Sequence, residues 1–264
     1  MKHNHFFLVL LLSGGALSAC HQPDTAHCDI ISASVEEAGF SKSVQVTCDD
    51  SYAYLTSSTY PSHDMMNGIT GTNEQIPVPA LDYAAPIKLK PTKAESLTSI
   101  DAALGVAVNG VPIYDYSSQG ELDLSHYNEN VDTVKLGQLD NCGGHAGRGD
   151  DYHYHAAPTC MIETMANRKN NPIIGWAYDG YPIYGDDNPD GSKIKSGTLD
   201  DCNGQADEAF GYRYHTSEAP PYIVQCLVGK VDVGDLPRVA PLTSTDKDGS
   251  TTILNAMRDN LTPP

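Results

Sequence analysis

The strongest constraint on this chain is that part of it is written twice. "GVAVNGVPIY" at 105–114 returns as "GWAYDGYPIY" at 175–184, with six identities in ten positions. "LDNCGG" at 139–144 returns as "LDDCNG" at 199–204, and "YHYH" at 152–155 returns as "YRYH" at 212–215. A cysteine follows each tetrad, Cys160 and Cys226. Four blocks in one order predict two copies of one structural unit, at about 100–160 and about 170–230. The fold class that follows is mainly β, with few short helices. Asn109-Gly110 and Asp179-Gly180 each separate two short apolar runs, a hairpin signal. "SVQVTCDDSYAYLTSSTYP" (43–61) alternates and is rich in Val, Thr and Tyr, as strands are. The helical candidates are "KAESLTSIDAAL" (93–104) and "IETMANRK" (162–169). With 23 glycines and 17 prolines, much of the rest reads as turns and loops.

The cysteines bound the compartment. Residues 1–19 begin with Lys2 and continue through "FFLVLLL" and "SGGA", an apolar stretch too short for a membrane span of about 20 residues. It reads as a signal peptide. It ends in "LSAC" (17–20), which resembles the lipobox of bacterial lipoproteins. That resemblance implies cleavage before Cys20, a diacylglyceryl group on its sulfur and palmitate. His21 in place of Asp points to the outer membrane of a diderm cell. The expected location is extracytoplasmic, with the membrane contacted through the lipid alone.

Seven cysteines minus Cys20 leaves Cys28, Cys48, Cys142, Cys160, Cys202 and Cys226. In an oxidising compartment these predict three disulfides. The symmetry of the duplication selects Cys142–Cys160 and Cys202–Cys226, leaving Cys28–Cys48. Each closure is worth about 3 kcal/mol in the chain-entropy model. No two cysteines have the C-x-x-C spacing of a structural zinc site. The organisation is thus a leader at 1–19, an anchor and Cys28–Cys48 segment at 20–49, a duplicated domain at 50–230 and a polar tail at 231–264.

Thirty-four acidic residues face 16 basic ones, a formal charge of −18. That excludes nucleic acid and anionic lipid as partners and fits a surface that attracts cations. No protein partner can be read from the sequence. Fifteen tyrosines against four phenylalanines imply many rings with an apolar body and a polar tip.

The histidines carry the chemistry. If residues 152–155 are extended, His153 and His155 share one face while Tyr152 and Tyr154 share the other. His145, in "CGGHAGRGD", can fold back over the histidine face, and His63, in "PSHDMM", is a plausible fourth donor. Imidazoles suit Cu²⁺ and Zn²⁺, with copper higher in the Irving–Williams order, and Met65 and Met66 offer thioethers for Cu⁺. Asp64, Asp150 and Asp151 are carboxylates that fix histidine tautomers or ligate directly.

The blocks "NGVPIY", "LDNCGGHAGRGDDYHYH", "IIGWAYDGYPIYG" and "GYRYHTSEAPPYIVQCLVG", together with "YPSHDMMNGI", resemble the YHYH-domain proteins of bacteria and some eukaryotes, over about 50–230. The resemblance implies a domain and leaves its activity open. Arg213 departs from the tetrad, standing where the first copy has His153.

In the second copy Arg213 and His215 share a face. A guanidinium there repels cations, so this face is expected to hold an anionic ligand or a carboxylate from the other half, or to be structural. Asp186, Asn188 and Asp190 with Gly191 follow the first half of a calcium loop, but the twelfth position is Gly197, which excludes a complete EF-hand. No nucleophile elbow or phosphate-cradling loop is present. The reading that follows is a metal-binding protein rather than an enzyme. The alternatives are a metal-dependent hydrolase on the same histidines, with Glu163 or Asp151 as base, and a metal-free module for a surface ligand.

Overall fold

The computed structural model describes residues 25–71, 76–147 and 151–236. Cys20 and the leader, Asp150 and the tail after residue 236 lie outside them. The chain is β-rich, as its patterning implies.

It opens with a helix that the pattern did not announce, α1 (Thr25–Ala38). Ile31, Val35 and Ala38 recur on one stripe and are fully or almost fully buried. The helix stops at Gly39, whose φ of 93° suits the left-handed cap. Gly39 N donates to Glu36 O, and Phe40 N donates to Val35 O, satisfying carbonyls of the last turn. A meander follows: β1 (Gln45–Cys48), β2 (Tyr52–Ser57) and β3 (Tyr83–Lys88), antiparallel in that order. Cys28–Cys48 ties α1 to β1. The 20–49 segment therefore shares the domain's core: buried Trp176 donates from Nε1 to Ser34 Oγ of α1 at 2.9 Å.

The helix expected at 93–104 is instead a strand, β4 (Lys93–Thr98). It pairs antiparallel with β13 (Leu227–Gly229), and that long-range pairing outweighs the segment's local helix preference. The second helical segment does form but is shifted. α2 spans Thr159–Thr164, Met165 turns extended, and a 3₁₀ turn follows at Arg168–Asn170.

The duplicated units make one eight-stranded sheet. The first copy gives β5 (Gly105–Ala107), β6 (Pro112–Ile113), β7 (Gly144–Ala146) and β8 (Tyr152–Tyr154). The second gives β9 (Gly175–Ala177), β10 (Pro182–Tyr184), β11 (Gly204–Asp207) and β12 (Gly211–His215). Their order, β11-β12-β10-β9-β5-β6-β8-β7, reads the same from either end when the copies are exchanged. β5 and β9 join antiparallel, with Val106 opposite Trp176, Gly105 opposite Ala177 and Ala107 opposite Gly175. The pseudo-twofold axis therefore passes between Val106 and Trp176. A Cβ on Gly105 would stand 2.5 Å from Trp176 O, so the copies can approach this closely only through glycine.

Each repeated block has a mechanical role. In Leu-Asp-x-Cys-x-Gly, the aspartate caps the turn. Asp140 Oδ1 accepts from Cys142 N at 2.9 Å and Gly144 N at 3.2 Å; Asp200 Oδ1 accepts from Cys202 N at 3.0 Å and Gly204 N at 2.9 Å. The residue after each cysteine, Gly143 or Asn203, has positive φ, which glycine and asparagine tolerate. The first tyrosine of each tetrad then donates to the same carboxylate, Tyr152 to Asp140 and Tyr212 to Asp200. Tyr214 donates to Asp179 and Tyr222 to Asp132 in the same way. The tyrosine excess is thus largely a set of phenol–carboxylate pairs. The disulfides are Cys142–Cys160 and Cys202–Cys226, as the symmetry requires.

Gly105→Val is expected to cost about 3 kcal/mol or more, because backbone at the axis cannot yield. Gly185→Ala, with open space where its Cβ would stand, should stay within about 0.5 kcal/mol of the parent. Urea unfolding of the two variants checks this. Equal stabilities would refute the constraint at the axis.

Candidate metal centre

The histidine face is built by one antiparallel pair. His145 on β7 stands directly opposite His153 on β8, and His155 lies two residues further along, on the same side as His153. Tyr152 and Tyr154 point the other way into the core, each fully buried. The three imidazoles are also buried, with 6%, 7% and 2% of their surface exposed. Their ring centroids form a nearly equilateral set: 4.9 Å between His145 and His153, 4.9 Å between His145 and His155, and 4.8 Å between His153 and His155.

The backbone engages the Nδ1 of each ring. His145 Nδ1 meets Gln138 O at 3.0 Å, His153 Nδ1 meets Asp151 O at 3.0 Å, and His155 Nδ1 bonds Asp115 O. A carbonyl only accepts, so each Nδ1 carries a proton. Burial pushes the His145 pKa down to about 4. Burial, with the neighbouring His145, pushes that of His155 down to about 3. Both rings are therefore neutral near pH 7. His145 Nε2 and His155 Nε2 stand 3.2 Å apart. Metal–nitrogen bonds of about 2.05 Å in tetrahedral geometry put neighbouring nitrogens about 3.3 Å apart. One donor atom from each of the three residues lies within 4.8 Å of the others.

Two contributors escaped the sequence reading. A Cβ on Gly147 would sit 2.9 Å from His153 Cε1, 3.2 Å from His153 Nε2 and 3.4 Å from His145 Nε2. Glycine there keeps the space over the donor atoms open. The Tyr114 ring flanks the site, 4.4 Å from His153 and 5.6 Å from His155. Its only sequence signal is that it closes the repeated Pro-Ile-Tyr block. Asp151 supplies the carbonyl that holds His153 and places Oδ2 3.8 Å from the same Nδ1, so it positions that ring. Glu163 is exposed on α2.

His63 does not join the three. It packs on the tyrosine face of β8, 5.5 Å from the Tyr152 ring, with Nε2 3.0 Å from Tyr154 Oη. Strand alternation decides this, since Tyr154 and His155 leave the chain on opposite sides. Asp64 accompanies His63, accepting from its Nδ1 through the backbone oxygen. Met65 and Met66 line the same cleft of about 640 Å³, and Met66 Sδ accepts from Ala146 N, so neither thioether serves the triad. Cys142 and Cys160 lie near His63 but are joined to each other.

The calcium half-loop is engaged otherwise. Asn188 Oδ1 accepts from Arg213 Nη2 and Gln205 Nε2, both at 2.7 Å, and Asp190 Oδ1 accepts from Ser192. A guanidinium on the asparagine oxygen excludes a calcium ion there. The carboxylate on Arg213 is that of Asp207 in its own copy, at 2.8 Å, rather than one from the other half.

For chelator-treated protein, stability should fall with acid. Below about pH 6.5 the unfolded histidines take up protons, whereas His145 and His155 in the fold stay neutral down to about 4 and about 3. Each group then favours the unfolded chain by at most about 1.4 kcal/mol per pH unit across that window. Urea titrations between pH 7 and 4.5 should show the loss, and a His145→Gln, His155→Gln variant should show a flatter profile. An unchanged slope in that variant would contradict the neutral-imidazole assignment.

Among known proteins, the family model described as "YHYH protein" matches residues 83–195. Comparison with curated proteins and with solved structures gives no match. The matched span holds β3 to β10, including the tetrad at 152–155 and all three converging histidines. It stops short of Tyr212–His215 and is narrower than the 50–230 suggested by the motifs. On that match, and on the tetrad at the heart of the site, residues 83–195 form a YHYH domain.

Proposed function

We propose that this protein binds one transition-metal ion, copper before zinc, through His145, His153 and His155, and that it does so as an extracytoplasmic lipoprotein held by Cys20. The observation that carries the metal reading is the convergence of three buried imidazoles, each anchored through Nδ1 on a backbone carbonyl, with one donor atom from each within 4.8 Å of the others. The Nε2 atoms of His145 and His155, 3.2 Å apart in a buried site, have the spacing of two donors on one tetrahedral ion. Three nitrogen donors suit both ions, and the Irving–Williams order favours copper. Three disulfides fit an oxidising compartment, and "LSAC" supplies the anchor. No helix among the described residues is long and apolar enough to cross a membrane.

The lack of a side chain at Gly147, where a Cβ would crowd the donor rings, favours a second reading, a metal-dependent hydrolase. Three histidines with a free position are a known arrangement for a metal-bound water. A fourth protein ligand in the X-ray absorption spectrum would decide for binding alone, and a coordinated water for chemistry.

Elemental analysis of untagged protein should find about one ion per chain. His145→Ala, His153→Ala or His155→Ala should each weaken binding by about 100-fold or more, since loss of a chelating ligand costs both a bond and geometry. His63→Ala and His215→Ala should change affinity less than about threefold, being outside the set. Equal affinities for His153→Ala and His215→Ala would end the metal reading. Separately, Cys20→Ser should move the protein from membranes to the soluble extracytoplasmic fraction; persistent membrane association would end the lipoprotein reading.

A further inference from the structure

The two copies allow the same position to be read twice. His145 and His153 face each other across β7 and β8, and Gln205 and Arg213 face each other across β11 and β12 at the equivalent register. His215 matches His155 closely. Its Nδ1 bonds Gly185 O at 2.9 Å, and Gly185 occupies the place of Asp115, the acceptor for His155. Even the bond from Arg213 Nη1 to Gly211 O, at 3.1 Å, repeats that of His153 Nδ1 to Asp151 O. The second copy thus retains the frame of the metal centre with a different occupant.

The difference lies at the point where the Nε2 atoms meet. In the first copy His155 Nε2 faces another imidazole, that of His145. In the second, His215 Nε2 lies 3.1 Å from Gln205 Nε2, an amide that donates. Arg213 is 1% exposed, and its guanidinium lies beside them, bound to Asn188 Oδ1 and to Asp207 Oδ2. The positive charge and the hydrogen-bond donors that an ion would otherwise neutralise or replace are supplied by the chain itself.

We propose that the Gln205–Arg213–His215 site is a metal site closed by its own side chains, with the Arg213 guanidinium as resident cation. It requires only imidazoles at 205 and 213 to bind a transition metal. The chain therefore carries one site that exchanges its cation with solvent and one whose cation is covalently part of the fold. This rests on the metal reading of the first copy for its ligand chemistry, but the test separates the two.

The probe is Zn²⁺, counted by elemental analysis after gel filtration and by calorimetric titration, on the full chain with its disulfides. Gln205→His, Arg213→His should raise the bound zinc by one ion per chain above the parent. Combining it with His145→Ala, His153→Ala should leave one ion, now in the second copy. Arg213→His alone, the milder change, should add an ion bound more weakly. If the parent binds no zinc, the first-copy reading fails, while gain of an ion by the double variant still upholds the second. Should the double variant fold only with zinc in the refolding buffer, that also upholds it. Variants that fold without zinc and take up no added ion overturn the proposal, as does failure of both to fold with or without zinc.

Discussion

The antiparallel pairing of β5 with β9 is the constraint on which the rest depends. Neither copy has enough strands to bury its own apolar face, because its strands are only two to five residues long. Joining them through Val106 and Trp176 gives one sheet whose centre is buried on both sides. The requirement is steric as well as cohesive. Gly105 and Gly175 must remain bare for the two backbones to meet, which explains why both repeated blocks begin with glycine.

From that axis outward the sheet acts as a frame that aims side chains. β8 and β12 run parallel to β6 and β10, so the carbonyls just beyond the inner strands reach the last histidine of each tetrad. Backbone positions are set by the whole fold, and an imidazole tied to one has little freedom left. The same frame yields two electrostatic solutions. In the first copy three imidazoles converge; in the second a buried guanidinium is matched by an amide oxygen and a carboxylate. Burial makes each solution demanding, since unmatched charge or lone pairs inside a protein are costly.

The opposite side of the tetrad strands serves stability. Tyr152 and Tyr212 close their turns on Asp140 and Asp200, while Tyr154 and Tyr214 bury rings in the core with their hydroxyls engaged. Desolvation and the adjoining carboxylates hold the Tyr152 and Tyr212 phenols well above the ordinary tyrosine range, so they act as donors only. The acidic composition is partly consumed in this way, as turn caps and phenol acceptors rather than as surface charge.

Much of this was legible in the sequence because it is local or repeated. Period-two alternation separated His153 and His155 from Tyr152 and Tyr154, and the duplication selected both disulfides of the repeated units. His145 was recoverable because the Cys142 staple keeps its loop beside the tetrad. What the sequence could not supply were contacts between distant segments. β4 reads as a helix until β13 is beside it, and α1 is recognisable mainly by the core it covers. His63 looked like a ligand, but only the path of residues 60–66 along the tyrosine face decides that it is not. Local patterning fixes which side of a strand a residue leaves from. Which atoms then meet, and so which ring nitrogens converge, depends on backbone carbonyls brought from elsewhere by the assembled sheet.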